Sequence, residues 1–346
     1  VVSELQRFSL VDTETDVKGE AYEEIVGPNL RGDRGEFFTP RNVCNMTIEM
    51  MFSLIPEDKL TSPGGMKILD PAVGTGGFLI AGVQKIKQLF LNRGFRYDQL
   101  RDLVRDVANA NFYGIDFNPF LVKVAQMNMV MHGDGSANIV HANSLEDSAN
   151  WNSEAKEKIK FGEFDLVVTN PPFGTKAVID NPDILSQFEL TTFGANSSRT
   201  ALPPEQLFVE RCLDFLKPGG YLGIVLPDSI LSNPGLKWIR EWILQKAYII
   251  ASIDLPVETF EPHTGTQTSI LILKKKTPVQ QKLQEDYEIF MAIPEKVGHD
   301  RRGNLIYKTT PGGEIKLDEN GNPIVEDYLP LVAKAFEEWL RRKGMI

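Results

Sequence analysis

Short apolar runs alternate along this chain with longer stretches whose apolar residues recur every three or four positions. "MKILD" (66–70) reads as a strand and "GGFLIAGVQKIKQLFLNRG" (76–94) as a helix. "FYGID" (112–116) is a second strand, followed by a helix in "NPFLVKVAQMNMVMHG" (118–133). "NIVHANS" (138–144) and "FDLVVTN" (164–170) are the third and fourth strands. "PEQLFVERCLDFLKPGG" (204–220) is a helix closing on Pro-Gly-Gly, and "YLGIVLP" (221–227) is the fifth strand. "GLKWIREWILQKA" (235–247) is a helix, "YIIASIDLP" (248–256) the sixth strand and "TSILILKKK" (268–276) the seventh. Ahead of this series, residues 1 to about 35 read as helical and loop-rich, with "EAYEEIV" a short amphipathic piece. Residues 40–54 follow as a helix with Pro40 in its first turn. Behind the series come the turn-rich pieces "RRGN", "PGGE" and "ENGNP" and a last helix, "LPLVAKAFEEWLRRK".

Alternation at this spacing predicts an α/β fold with right-handed crossovers and a mostly parallel sheet covered on both faces. The sixth and seventh strands lack an intervening helix, and a polar loop of about a dozen residues suits an antiparallel hairpin. A mostly parallel seven-stranded sheet ending in such a hairpin resembles the Rossmann-like methyltransferase fold.

Composition narrows the class. With 346 residues, 42% apolar and 24% charged, the chain has an ordinary globular balance, enough for one large domain with appendages or two domains. Its apolar runs are far short of a membrane span, and charged residues interrupt the start from Glu4 onward, unlike a signal peptide. Cys44 and Cys212 form neither a disulfide nor a metal spacing, which fits a reducing cytoplasmic setting, and four scattered histidines form no zinc pattern. A formal net charge of −10 argues against nucleic-acid binding by bulk charge, though not against a local basic strip. The clusters Lys274–Lys276, Arg301–Arg302 and Arg341–Lys343 read as solvated surface charge. The chain opens on Val1 rather than Met, as expected of a trimmed or processed chain.

Four strand ends carry the candidate chemistry. "ILDPAVGTGGF" (68–78) places Asp70 at a strand end, then Gly74, Gly76 and Gly77 in a turn before a helix. Glycines there let a ligand approach the backbone beyond the sheet edge, and an acid facing the pocket suits an amine-bearing ligand. A tight turn with no ligand is the plainer alternative, and the spacing is not that of a phosphate-binding P-loop. Asp116 ends the second strand, where a carboxylate can accept from both hydroxyls of a ribose or cap the helix that follows. Asn143 and Ser144 end the third strand, where an amide can read an adenine edge or form a turn. Asn170-Pro171-Pro172-Phe173 ends the fourth. The Asn170 side-chain oxygen and the Pro171 carbonyl can accept from the two hydrogens of a planar amine and free its lone pair. Proline fixes that backbone, and Phe173 can stack on a flat base. The bland alternative is a strand-terminating turn, but its position at the same sheet edge as the glycine turn favours a site.

Three blocks, "GEFFTPRNV" (35–43), "DPAVGTGGFL" (70–79) and "NPPFG" (170–174), together with "GEAYEEIV" (19–26) and "FLKPGGYLGIVLPDSIL" (215–231), resemble the N6-adenine DNA methyltransferases. More closely they resemble the modification (M) subunits of type I restriction-modification systems, over residues 18 to 276. The resemblance implies S-adenosyl-L-methionine as cofactor. It implies that Glu36, Phe37, Phe38, Thr39, Pro40 and Arg41 fold over the cofactor's methionine part, with Thr39 also a helix cap before Pro40. Gly74, Thr75, Gly76, Gly77 and Phe78 would contact the cofactor, with Asp70 at its amino-acid end, Asp116 at its ribose, and Asn143 and Ser144 at its adenine. Asn170 to Phe173 would hold a flipped target adenine. Many relatives have Asp-Ser where this chain has Asn143-Ser144, which alters the donor and acceptor pattern; Phe173 in place of the commoner Tyr keeps the stacking ring.

The expected division is a remnant of an N-terminal helical region with a cofactor-covering segment (1–38), a catalytic domain (39–276) and a C-terminal extension with its terminal helix (277–346). The catalytic domain carries an insertion (174–203), expected as a flexible loop near DNA. A self-sufficient adenine methyltransferase carries a larger recognition region. Implied partners are therefore DNA, a DNA specificity (S) subunit and, as a further candidate, a restriction (R) subunit, with no membrane. Two rival readings stand beside this one. One is another Asn-Pro-Pro methyltransferase acting on an RNA base or a protein glutamine; the other is a catalytically silent cofactor-binding scaffold.

Overall fold

The computed structural model describes residues 38–133, 135–174, 178–195, 197–282 and 286–346. The expected "EAYEEIV" helix, Glu36 and Phe37 lie outside the described residues. In chain order the helices are α1 (Arg41–Ser53), α2 (Glu57–Thr61), α3 (Gly77–Asn92), α4 (Tyr97–Asn111), α5 (Pro119–Met131), α6 (Ser153–Lys158), α7 (Pro182–Leu185), α8 (Pro204–Phe215), α9 (Ser229–Ser232), α10 (Lys237–Lys246) and α11 (Leu329–Arg342). The strands are β1 (Ile68–Asp70), β2 (Phe112–Asp116), β3 (Ile139–His141), β4 (Phe164–Thr169), β5 (Leu216–Pro227), β6 (Ala247–Asp254), β7 (Thr268–Lys275) and β8 (Phe290–Ala292).

All eight strands form one sheet in the order β3-β2-β1-β4-β5-β7-β6-β8. Only β7 runs against its neighbours, pairing antiparallel with both β5 and β6. The chain reverses its direction of travel across the sheet between β1 and β4, so a crevice opens beyond their carboxyl ends. Successive strand residues serve opposite faces, as the period of two requires. Leu166 and Val168 of β4 join the core beneath α1, α3 and α11, while Val167 joins the core beneath α8 and α10; Phe164, before the register shift in β4, also lies on the second side. No described helix is long and apolar enough to cross a membrane.

The expected elements recur; besides the short helices α2, α6, α7 and α9, which the sequence pattern does not predict, four differences stand out. First, α4 is absent from the sequence reading, because only Leu100, Val104, Val107 and Ala108 carry its apolar stripe among many charges. Second, the helix expected over 204–220 stops at Phe215 and β5 begins at Leu216. Phe164 pairs with Leu216 but Leu166 with Tyr221, so "KPGG" bows out of the ladder, using Pro218, which has no N–H, and Gly219 at φ +84°. Third, β8 continues the sheet beyond the β6–β7 hairpin, and α11 packs on α1 with Phe336 fully buried. The end of β7 is therefore not the end of the fold. The turn-rich pieces of the tail are tips of short antiparallel arches, pairing for example His299 with Leu305 and Leu317 with Pro323.

Fourth, the described part of the 174–203 insertion is packed rather than a loose loop. Phe188 and Leu190 are buried, Ile179 pairs antiparallel with Leu202, and the Glu210 carboxylate accepts from the Glu189 and Leu190 N–H groups at 2.7 and 2.9 Å. Arg199 donates to the Leu190 and Phe193 carbonyls and lies 3.6 Å over the Trp238 ring. Nor is the lysine run simply solvated. Lys275 Nζ donates to the Leu216 carbonyl and the nearly buried Lys276 Nζ to that of Leu244.

Candidate active site

The β1–α3 connection turns sharply because Gly74 and Gly76 adopt φ +53° and +89°, which a side chain would resist. Its neighbours fix it. Gly76 N–H donates to the Val73 carbonyl (2.7 Å), and Val73 N–H to the Ile115 carbonyl of β2 (2.9 Å). Arg41, at the start of α1, donates to the Gly77 carbonyl at 2.9 Å.

Asp116, at the end of β2, serves the turn as well as the cavity. Its Oδ2 accepts from Gly74 N–H (2.9 Å) and its Oδ1 from Asn118 N–H (2.8 Å). It is not itself the cap of α5: that position belongs to Asn118, whose side chain accepts from Phe120 N–H. A carboxylate so pinned has its orientation set before any ligand arrives.

Two cavities open beyond the strand ends. The larger, about 370 Å³, is lined by Asp116, Phe117, Leu121, Asn143, Ser144 and Leu145 on one side. Asn170, Pro172, Val178, Ile179, Pro204 and Phe208 line the other. The smaller, about 40 Å³, is bounded by Phe38, Thr39, Asp70, Thr75, Gly77, Phe78 and Asn170, with Ala72, Val73 and Gly74 completing its wall. Asn170 lines both, so the amide at the end of β4 stands where they meet. Its Nδ2 donates to the Thr39 hydroxyl at 3.1 Å. That bond corrects the capping role expected of Thr39: α1 is preceded by Pro40 with no side-chain cap, and the hydroxyl is turned toward Asn170 instead.

Burial pushes the Asp70 carboxyl up to about 7, and the nearby Asp116 charge adds to the shift. The hydrogen bond from Ala72 N–H, 3.1 Å, offsets only part of it. Glu205, buried in the first turn of α8, is also raised by burial, while the N–H groups of Glu205 and Gly174 oppose the rise. Its carboxylate therefore stands against the backbone that leaves the Asn-Pro-Pro-Phe turn.

The expected site residues divide into those at the cavities and those behind them. Phe38, Thr39, Asp70, Gly74, Thr75, Gly77, Phe78, Asp116, Asn143 and Ser144 line the cavities; Pro40, Arg41 and Gly76 support them without lining either. Asn143 spends its amide locally, accepting from Leu145 N–H (3.0 Å) and donating to Glu146 (3.2 Å), while Ser144 Oγ donates to the Pro71 carbonyl (2.6 Å). Of the tetrad, Asn170 and Pro172 face the larger cavity. Pro171 and Phe173 do not: Phe173 is 4% exposed and packs edge-on against Phe260, with ring centroids 6.3 Å apart. The sequence reading missed the apolar walls. Phe117 directly follows Asp116 and is exposed, and Pro204 and Phe208 lie one turn apart on α8, so both signals were present in the spacing.

A glycine turn, two strand-end acids and an Asn-Pro-Pro turn thus converge on one crevice. Residues 13–304 match the model of the family described as N-6 DNA Methylase, which is most of the chain. The chain belongs to the N-6 DNA methylase family. Among curated relatives it is 27% identical over 267 residues to the type I restriction enzyme EcoEI methylase subunit of Escherichia coli, covering 76% of this chain and 47% of that protein. It is also 27% identical over 338 residues to the type I restriction enzyme StySPI methylase subunit of Salmonella potsdam, covering 93% of this chain and 55% of that one. The chain spans about half the length of these relatives. Among solved structures, a class I S-adenosylmethionine-dependent methyltransferase from Listeria monocytogenes superposes with a TM-score of 0.62 at 18% identity, covering 97% of this chain and 83% of that one. That likeness bears on the fold, which in this chain is an α/β sheet with an antiparallel section.

Proposed function

We propose that this chain is the catalytic part of an S-adenosylmethionine-dependent methyltransferase that modifies the N6 amine of adenine in DNA, as the modification subunit of a type I restriction-modification system. The observation that carries the reading is the position of Asn170, at the end of β4 and in the wall of both cavities. Family membership and the likeness to type I methylase subunits supply the rest.

The residues present fit the cofactor. The larger cavity offers the pinned Asp116 carboxylate for a ribose and the apolar faces of Phe117, Leu121 and Leu145 for a base. The smaller offers the buried acid Asp70 for an ammonium group. When bound, S-adenosylmethionine supplies an electrophilic methyl group on a positively charged sulfur.

On the other side, adenine's exocyclic amine is a weak nucleophile because its lone pair is shared with the ring. Asn170, in the cavity wall, would accept through Oδ1 from one N–H, and the Pro171 carbonyl, which lines neither cavity as the turn stands, from the other once the turn adjusts; this favours a tetrahedral nitrogen and restores the lone pair. Work of this kind is positioning and preorganised hydrogen bonding, with proline keeping the backbone acceptor in one place. An adenine reaches such a turn only outside the helical stack, so base extrusion is part of the proposal. The net charge of −10 and the packing of the described part of the 174–203 insertion favour a separate specificity chain for sequence recognition, with a restriction subunit as a further partner.

Transfer of labelled methyl groups from S-adenosylmethionine tests the reading. The protein, with its candidate specificity partner, is offered DNA, RNA and a glutamine-bearing protein, and the product is digested and identified. N6-methyladenine in DNA is the expected outcome. Label confined to RNA or to protein glutamine would move this N-6 DNA methylase to the other Asn-Pro-Pro chemistry; no label on any of the three would leave a cofactor-binding scaffold.

A further inference from the structure

Asn128 lies within α5 with no exposed surface, on a helix otherwise buried through Leu121, Val122, Val124, Ala125 and Met129. Enclosing an amide on such a face costs stability unless its polar atoms are bonded. Asn128 Nδ2 donates to the Thr75 carbonyl at 2.9 Å, in the middle of the glycine turn. The same helix touches the turn again at Ala125, whose Cβ is 3.7 Å from where a Gly76 side chain would begin.

The Thr75 carbonyl and the Gly76 N–H belong to one rigid peptide plane. The N–H end of that plane is held by the Val73 carbonyl (2.7 Å) and the carbonyl end by Asn128 (2.9 Å). The plane pivots on ψ of Thr75 and φ of Gly76, and glycine at 76 removes the side-chain resistance at one pivot, so these two bonds help to set its orientation. Asp116 holds the preceding Gly74 N–H, but it also lines the cavity and has ligand hydroxyls to serve. Asn128 lines neither cavity and has no such second task there.

We propose that Asn128 is a positioning residue for the cofactor turn: by holding the Thr75 carbonyl it keeps the Thr75–Gly76 peptide in the orientation that admits the ligand. The proposal rests on the reading of residues 74–77 as part of an S-adenosylmethionine site. It places a determinant of cofactor affinity on the hidden face of α5, outside both cavities.

The test compares two amides of one helix in the full chain. Asn128→Asp keeps the shape and loses the N–H donor. Gln126→Ala removes a different bond, from Gln126 Nε2 to the Ile139 carbonyl (3.0 Å), away from the turn. S-adenosylmethionine binding is measured by calorimetry, well below the Tm of each variant, and the Gly74 and Gly76 amide resonances are followed without ligand. Asn128→Asp is expected to weaken binding about tenfold or more and to shift both resonances. Gln126→Ala should bind within about twofold of wild type with the resonances in place. Equal weakening by both variants, or unchanged binding and unmoved resonances in Asn128→Asp, overturns the role. Should Asn128→Asp not fold, Asn128→Ala takes its place under the same criteria. A wild-type chain that does not bind S-adenosylmethionine overturns the cofactor reading instead, and the resonances then still report whether Asn128 orders the turn.

Discussion

The two sides of the crevice are built differently. On the side of β1 and β2, the glycine turn is tied by several hydrogen bonds to its backbone: Gly74 N–H to the Asp116 carboxylate, Val73 N–H to the Ile115 carbonyl, and the Asn128 amide to the Thr75 carbonyl. On the side of β4, the Asn170 amide donates to the Thr39 hydroxyl, a side-chain partner, and Phe173 is turned away into the protein against Phe260. A turn fixed by several backbone bonds, next to one whose aromatic ring is stowed, suits the proposed division of labour, in which the cofactor side is formed beforehand and the target side is completed on binding. Stacking of Phe173 on a base requires the ring to leave Phe260, a movement that binding energy from the target must supply.

That contrast predicts separable losses, the largest on the target side. Asn170→Ala should lower methylation by about 100-fold or more, because a preorganised hydrogen-bonding group aimed at the reacting amine is lost. S-adenosylmethionine affinity, measured by calorimetry on the same preparation, should stay within about twofold. Collapse of cofactor binding together with activity would mean that the two sides are one unit and the contrast is false. Asp116→Ala is the opposite case. Removing a charged acceptor that also pins Gly74 should weaken cofactor binding by about 10- to 100-fold. Turnover at saturating cofactor should recover most of its wild-type value; a low plateau with unchanged affinity would assign Asp116 to the chemistry instead.

Much of the sheet was legible because each strand sits between turn signals and each crossover helix has an apolar stripe. β2 and the start of β4 match their expected limits because Asp116 and Phe164 bound clean apolar runs. The misses have a common cause, since tertiary partners outweigh local pattern. β8, three residues long, is a strand because β6 offers it an edge, and α4 is a helix because its sparse apolar stripe is buried. At the site, the charged and amide residues could be named because strand ends in an open α/β sheet point to a common edge. The apolar wall was legible only in part: Phe117 follows Asp116 and Phe208 lies one turn from Pro204, but Val178 and Ile179 belong to a segment whose approach to the crevice depends on how the insertion packs. Phe173 shows the limit from the other direction: its type suggested stacking, but only the fold reveals that its ring packs on Phe260.

The smallest expected effect concerns Asp70, and here the cofactor side is not wholly prepared. Its carboxyl is raised from an ordinary 3.8 to about 7, chiefly because burial disfavours the charged form. In the native state it therefore keeps its proton over a range in which the unfolded chain has lost it. The native state binds more protons between about pH 4 and 7, so this group lowers stability as pH rises through that window, and the loss levels off above about 7. A cationic ammonium needs the ionised acid. Cofactor affinity should accordingly rise with pH between about 6 and 8, by at most about tenfold, since the ionised fraction of a group near 7 grows by that factor. Binding near pH 6.5 should also release protons, read as a dependence of the calorimetric enthalpy on the ionisation heat of the buffer. Asp70→Asn should abolish both the pH dependence and the proton release and raise stability near neutral pH relative to wild type. A pH dependence that persists in Asp70→Asn would assign it to another group and leave Asp70 as a buried acid that shapes the turn without meeting the ligand.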